Sequence, residues 1–345
     1  MAAVDDKMAV CPLKHEVRIA LWEKYIRTVV GAGHLKRYLT LYSPPLMDVK
    51  LFAEKGLIVF DPEKQLYVGV VGATYDAKAY AAAQDTLGGR LDLLLDVNIN
   101  HLLDKPSKYP VKAKQLYEKF PFDAVNLDYT NSIFHESTKE DISEHLGALD
   151  ALINRQNAAG AKKFALMITT RSDLKFAEAF LADINARIDA NIKTTPGFGD
   201  EFARVFKCES ADALAAAAHG KFLSVGLAKF VAAVLGDHGY RISSCDAHWL
   251  IRDAVKPVRE LLHLAFLVER PPVPRALKKP TDAGRRLESE IVKFVGKHVD
   301  GIASIKETSD FKILYERHGA EIARLSTLNF EVATPEPEPE ADRPA

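Results

Sequence analysis

The sequence predicts an α/β fold: a doubly wound, mostly parallel seven-stranded sheet with a terminal antiparallel strand pair and helical appendages at the N- and C-terminal ends. Three observations carry this. Five strand-like runs, Arg37–Tyr42, Leu66–Val71, Arg90–Val97, Phe122–Tyr129 and Lys163–Thr169, are each followed by a helical stretch. Right-handed crossovers of that kind cover both faces of a parallel sheet with helices. Two further runs, Tyr240–Ile251 and Arg259–Glu269, have no helix between them and so pair antiparallel. Helical periodicity before the first strand and after the last supplies the appendages.

Composition fits that architecture. The 345 residues, 48% of them apolar, suffice for one large domain with a sizeable core. The longest apolar stretches, such as 222–235, are broken by Gly226 and Lys229 and fall short of the roughly 20 residues a spanning helix needs. Asp5, Asp6 and Lys7 precede no apolar core with a small-residue cleavage site, so a cytoplasmic protein with no membrane partner is expected. Cys11, Cys208 and Cys245 lie far apart, without metal-ligand spacing or the even count of a disulfide framework, and read as buried thiols. A net charge of −1 excludes a global positive field for nucleic acid.

In chain order, residues 1–35 form an N-terminal helical segment. Val17, Ala20, Leu21, Tyr25 and Val29 give its 14–30 stretch a helical stripe, ended by Gly31 and Gly33. The main domain spans 36–270. Its helices follow Pro44–Pro45 (48–54), run through the alanine-rich 76–86, lead into the fourth strand (111–120), and, from a capping signal in Ser137 followed by Glu140, run over 139–157 to end before Gly160. A further helix over 175–192 carries Phe176, Phe180, Ile184 and Ile188 on one stripe. Between Pro196 and Gly239, helices over 211–218 and 223–235 surround an expected exposed turn at Pro196-Gly197-Phe198-Gly199. Residues 271–333 combine a basic, proline-rich linker with two helices, 287–299 and 310–325. The acidic, proline-rich tail 334–345 cannot bury enough apolar area to order itself.

Ligands of open α/β sheets bind beyond the carboxyl ends of the strands, where strand order reverses. That rule selects five segments. The first loop runs from Tyr42 through Ser43, Pro44 and Pro45 to Asp48, and the second strand leads through Gly72 to Asp76. The third ends in Asp96 and Asn98, which share one face because strand side chains alternate. The fourth emerges into Asn126, Asp128 and Tyr129. The fifth ends at Thr169, Thr170 and Arg171, with Ser172 and Asp173 suited to capping the next helix.

This order of elements resembles the class I, Rossmann-like S-adenosylmethionine-dependent methyltransferases over roughly 36–270. The resemblance implies S-adenosylmethionine as cofactor, held by Tyr42, Ser43 and Asp48 in the first loop, Asp76 at the ribose, and Asp96 and Asn98 at the adenine. It implies that Asn126, Asp128 and Tyr129 form the catalytic group, with Asp128 orienting or deprotonating the nucleophile and Tyr129 packing against substrate or sulfonium. The sequence departs from the family in two places: two prolines replace the glycine-rich first turn, and no acid stands at the end of the second strand. Asn126 and Tyr129 have the outer spacing of the Asp/Asn-Pro-Pro-aromatic motif of nucleobase amino-methyltransferases, with Leu127 and Asp128 in place of the prolines.

A nucleic-acid partner would use the basic segment Arg270, Arg275, Lys278, Lys279, Arg285 and Arg286. Eleven histidines form no helix-spaced metal pair, and His135 with His145 is too widely spaced for one helix face, so no metal is expected. No phosphate-binding lysine loop or nucleophile elbow appears. Two functions follow: a methyltransferase of unspecified acceptor, or a catalytically inactive methyltransferase-like binding or scaffolding protein.

Overall fold

The computed structural model describes residues 10–42, 46–74, 78–81, 90–129, 133, 139–172, 178–251, 260–271 and 303–327. Its strands are β1 (Tyr38–Leu41), β2 (Phe60–Asp61), β3 (Leu66–Ala73), β4 (Leu91–Leu95), β5 (Ala124–Asp128), β6 (Lys163–Arg171), β7 (Arg241–Ile251), β8 (Leu261–Glu269) and β9 (Ala303–Lys306). They form one sheet in the order β4-β3-β1-β5-β6-β8-β7-β9, with β2 paired antiparallel to the start of β3. All seven expected strands are present. The two additional ones, β2 and β9, are too short for a period-2 pattern to stand out from loop sequence.

The pairings β3–β4, β1–β3, β1–β5 and β5–β6 are parallel, whereas β8 runs antiparallel to both β6 and β7. This is the strand order of the class I methyltransferase fold, and it reverses direction at β1, which has β3 on one side and β5 on the other. The central strands are buried on both faces and accordingly read as nearly unbroken apolar runs.

Alternation along each strand divides the core into two layers. Leu39, Val125, Leu127, Leu166 and Ile168 face one layer, and Tyr38, Ala124, Ala165 and Met167 face the other. The first layer is closed by α3 (Ile99–Asp104), α4 (Pro110–Tyr117), α5 (Lys139–Ala158), α6 (Glu178–Thr194), α7 (Phe198–Phe206), α8 (Ala211–Ala217) and α9 (His219–Asp237). The second is closed by α1, comprising Pro12–Val17, a π-helical segment Arg18–Glu23 and Lys24–Val30, together with α2 (Met47–Glu54) and α10 (Glu307–Thr327). Helix α9 is long and apolar enough to cross a membrane, but it lies mostly buried in the first layer.

Several expectations change in detail. Gly31 ends α1 as expected, with φ 61°. Ala20, placed on the buried stripe of α1, is exposed, while Leu13, Trp22 and Ile26 are buried. The π-helical segment shifts the phase of the apolar stripe, which a strict 3.6-residue period misses. Phe198 is not part of an exposed turn. Pro196 and Gly197 are exposed, but Phe198 is buried at the start of α7, and Phe202 and Phe206 follow at one-turn intervals. Helix α10 is no separate appendage: Leu314, Ile322 and Leu325 join the core layer of α1 and α2. The proposed helices at 76–86 and 287–299, the Ser137–Glu140 capping signal and the tail 334–345 lie wholly or largely outside the described residues.

One glycine fixes the approach of the chain to β3. Gly69 has φ +73° and sits where the β3–β4 register shifts, and an added Cβ would lie 1.9 Å from the Lys36 carbonyl oxygen. Gly160, past the end of α5, has φ +77° with nothing within 4 Å. Gly160→Ala therefore bears only the left-handed backbone penalty of about 1–2 kcal/mol. Gly69→Ala adds overpacking of about 1–3 kcal/mol. Urea unfolding of the two variants should show the larger loss for Gly69→Ala; equal losses would contradict this packing.

Candidate cofactor and substrate site

The carboxyl ends of β1, β5 and β6 and the amino end of the antiparallel β8 present a polar row to α1. Register aligns Thr40 with Asn126, and Asp128 with Thr169, His263 and then His248 across four strands. Helix α1 answers this row with Lys14, Arg18 and Trp22, spaced every fourth residue along one side. Lys14 Nζ lies 2.5 Å from Asp128 Oδ2, and the Trp22 ring meets the His263 ring edge-on at 6.2 Å. Further along, Tyr25 bonds Ser244 and Lys24 pairs with Asp246.

Asp48, in the first turn of α2, is the second acid of the cluster. Its Oδ2 accepts from Tyr38 Oη at 2.7 Å and from Thr40 Oγ1 at 2.8 Å, with Asn126 Nδ2 at 3.5 Å. The Arg18 guanidinium is 3% exposed, and burial opposes its charge while Asp48 and Asp128 favour it. Burial first, and then the Asp48 charge, push the Tyr38 hydroxyl far above its ordinary pKa, so it remains a donor to that carboxylate.

Donors and acceptors do not balance across this cluster. Among the described residues Arg18 Nε and Nη1, Asn126 Oδ1, Trp22 Nε1, His263 Nε2 and His248 Nδ1 are buried without a hydrogen-bond partner. Each such atom costs about 1–3 kcal/mol. Arg18 and Asn126 lie at the strand ends beside β1, where the strand order reverses, whereas Trp22, His263 and His248 lie further along, at β8 and β7. His263 Nδ1 is engaged by Thr169 Oγ1 at 2.8 Å, which directs the other ring nitrogen away from that bond.

The residues singled out from the sequence separate into groups. Asn126, Asp128 and Asp48 come together under α1. Tyr42 lies on the same face against Gly72, where an added Cβ would meet its ring at 2.9 Å. Tyr129 faces the opposite layer: its hydroxyl donates to Asn100 Oδ1 at 3.0 Å and its ring meets His145 edge-on at 4.9 Å. The outer pair of the four-residue motif is thus divided between the two faces of the sheet.

Asn98 is the N-cap of α3, accepting from the Asn100 backbone N–H at 3.0 Å. Asp96 is ion-paired with Lys112, which lowers its carboxyl pKa. Ser172 donates to Glu260 from its backbone N–H and its hydroxyl; Asp173 and the chain up to α6 lie outside the described residues. Arg270 stacks over the Tyr240 ring at 5.3 Å. Ser43, Asp76, Arg275, Lys278, Lys279, Arg285 and Arg286 lie outside the described residues.

Lys14, Arg18, Thr40 and His263 are not among the sequence candidates; Thr169 is, as the end of the fifth strand. One-turn spacing was the one local signal for Lys14 and Arg18, on a helix that also carries His15, Glu16, Glu23, Lys24 and Arg27.

Fold and position define the class: a methyltransferase-type α/β sheet whose switch point is covered by an N-terminal helix carrying buried cations. Residues 11–285 match the family described as PP_RS20740-like, and the chain belongs to that family. A search of curated proteins finds no match.

Three solved structures are similar at low identity. A candidate hemolysin from Streptococcus thermophilus is 11% identical with a TM-score of 0.35, over 84% of this chain and 73% of that one. The plantazolicin methyltransferase BamL, in complex with a triazolic desmethylPZN analog and SAH, is 9% identical with a TM-score of 0.34, over 77% and 91%. The magnesium protoporphyrin IX methyltransferase ChlM from Synechocystis PCC 6803, with bound SAH, is 11% identical with a TM-score of 0.29, over 74% and 84%. The fold assignment itself rests on the strand order.

Burial holds the His263 pKa well below its ordinary value, and lowers His15 and His248 in the same direction. The unfolded chain therefore takes up protons below about pH 6.5 that the folded chain excludes. This contribution to stability is complete above that pH and declines as the pH falls through it, by up to about 1.4 kcal/mol per pH unit for each proton. Urea midpoints between about pH 7.5 and pH 5.5 should fall less steeply for His263→Gln than for the wild type; parallel profiles would show that His263 is not the excluded base.

Proposed function

We propose that this chain is an S-adenosylmethionine-dependent methyltransferase with its cofactor site at the carboxyl ends of β1, β3, β4 and β5, beneath α1. The supporting observation is the buried, incompletely bonded polar cluster at the point where the strand order reverses. The donor set suits the cofactor. A guanidinium with two uncommitted nitrogens matches a carboxylate, and the paired acids Asp48 and Asp128 match an ammonium. The carboxylate and amide at the end of β4, Asp96 and Asn98, are suited to an adenine edge.

When bound, the cofactor supplies an electrophilic methyl group on a sulfonium. The chain's part is to bind, to orient and to exclude water, since a nucleophile fixed in line with that methyl gains from positioning alone. Arg18 and Asp48 belong to the binding side. Asp128 is the group available to accept a proton from the methyl acceptor, once Lys14 releases its carboxylate.

The Lys14–Asp128 pair also favours the second reading, a methyltransferase-like binding module without catalysis, because it occupies the one acid positioned as a base. Titration calorimetry with S-adenosylmethionine and S-adenosylhomocysteine separates the outcomes. The enzyme reading expects saturable heat for both, weakened at least tenfold in Arg18→Met, which keeps the aliphatic stem and removes the carboxylate partner. Saturable heat without methyl transfer to any offered acceptor supports the binding module. Absence of heat with either ligand would overturn the cofactor assignment.

A further inference from the structure

The first and last described helices meet at a cluster that the methyltransferase reading does not use. His15 and Glu16 of α1 face His318 and Glu321 of α10. His15 Nε2 lies 3.0 Å from Glu321 Oε2, and His318 Nε2 lies 2.6 Å from Glu16 Oε2. The imidazoles stand edge to face with centroids 5.3 Å apart. One ligand atom from each of His15, His318 and Glu321 falls within 4.8 Å of the other two.

We infer that His15, His318 and Glu321, with Glu16 as a fourth ligand, form a zinc site that fastens α10 to α1. The donor set is right for the ion: two imidazoles and two carboxylates are borderline-soft and hard ligands common in zinc sites, and two carboxylates neutralise a dication. The dimensions fit as well. Ligand atoms about 2.0–2.1 Å from a tetrahedral zinc lie about 3.3 Å from each other, so His15, His318 and Glu321 need to contract by about 1.5 Å at most, within reach of side-chain torsions, and Glu16 would join from its contact with His318.

An independent observation points the same way. His15 is fully buried, and its Nδ1 has no hydrogen-bond partner among the described residues. The apolar contacts of Leu314, Ile322 and Leu325 and the Arg317–Glu16 pair already join the two helices, so an under-bonded imidazole in the core is not needed for their packing.

The surroundings explain why the ion would matter. Arg324 clasps Glu54 of α2 through both guanidinium nitrogens, and Lys50 Nζ donates to the Leu325 carbonyl at 3.0 Å. Helix α10 is therefore already seated, and zinc would lock the N-terminal turns of α1 from which Lys14 and Arg18 project. Glu16 also lies 3.6 Å from Arg317, which makes it the weaker of the two carboxylate ligands.

The test uses the full chain, freed of metal with a chelator and titrated with zinc chloride. The expected result is one zinc per chain and a raised thermal midpoint. Affinity should drop at least tenfold in both His318→Gln and Glu321→Gln, with a smaller loss in Glu16→Gln. Circular dichroism shows whether each variant is folded; if His318→Gln is not, the part-exposed Glu321→Gln decides. Zinc uptake that is absent, or unchanged in Glu321→Gln, would overturn the site and leave two ordinary His–Glu ion pairs.

Discussion

Four charged side chains meet between α1 and the strand ends, Lys14, Arg18 and Asp48 buried and Asp128 half-buried, and each is tolerable there only because the others are present. Removing one partner of a buried pair costs about 3–5 kcal/mol, because the charge left behind has neither water nor a counter-ion. This mutual dependence ties an N-terminal helix to the carboxyl ends of β1 and β5, elements far from it in sequence. The position of α1, the access to the switch point and the docking of α10 all follow from that tie.

The two faces of the sheet are put to different use. The layer under α3 to α9 is apolar across the sheet, with Tyr129 closing its edge by bonding Asn100. The layer under α1, α2 and α10 contains polar side chains at its core, from Thr40 and Asn126 to Thr169 and His263. Buried polar atoms are retained where they are satisfied or where they serve a ligand. Tyr38, Thr40 and Asp48 satisfy one another, whereas Arg18, Asn126 and His263 do not.

The seven principal strands were legible because buried parallel strands read as apolar runs and the missing helix before β8 announced an antiparallel pair. Strands β2 and β9, and helix α3, are too short to carry a period, and α7 was hidden by the Pro196-Gly197 turn signal just before it. Asp48, Asn126 and Asp128 were legible from the rule that ligands favour strand ends. Thr169 was legible by the same rule, but its meeting with Asp128 and the part of His263 were not, because they depend on cross-strand register rather than local sequence. His15 and Glu321 are 306 residues apart, and no spacing rule joins them. Lys14 and Arg18 were visible as cations on a helix, but nothing local tells that their side of α1 faces inward.

Hydrogen–deuterium exchange with and without S-adenosylhomocysteine tests the central claim most directly. If the switch point beneath α1 is the cofactor site, ligand should slow exchange in α1 around Arg18 and in the segments following β1 and β5, while α9 remains unchanged. Unaltered exchange in those segments under saturating ligand, or protection confined to the opposite layer, would contradict it.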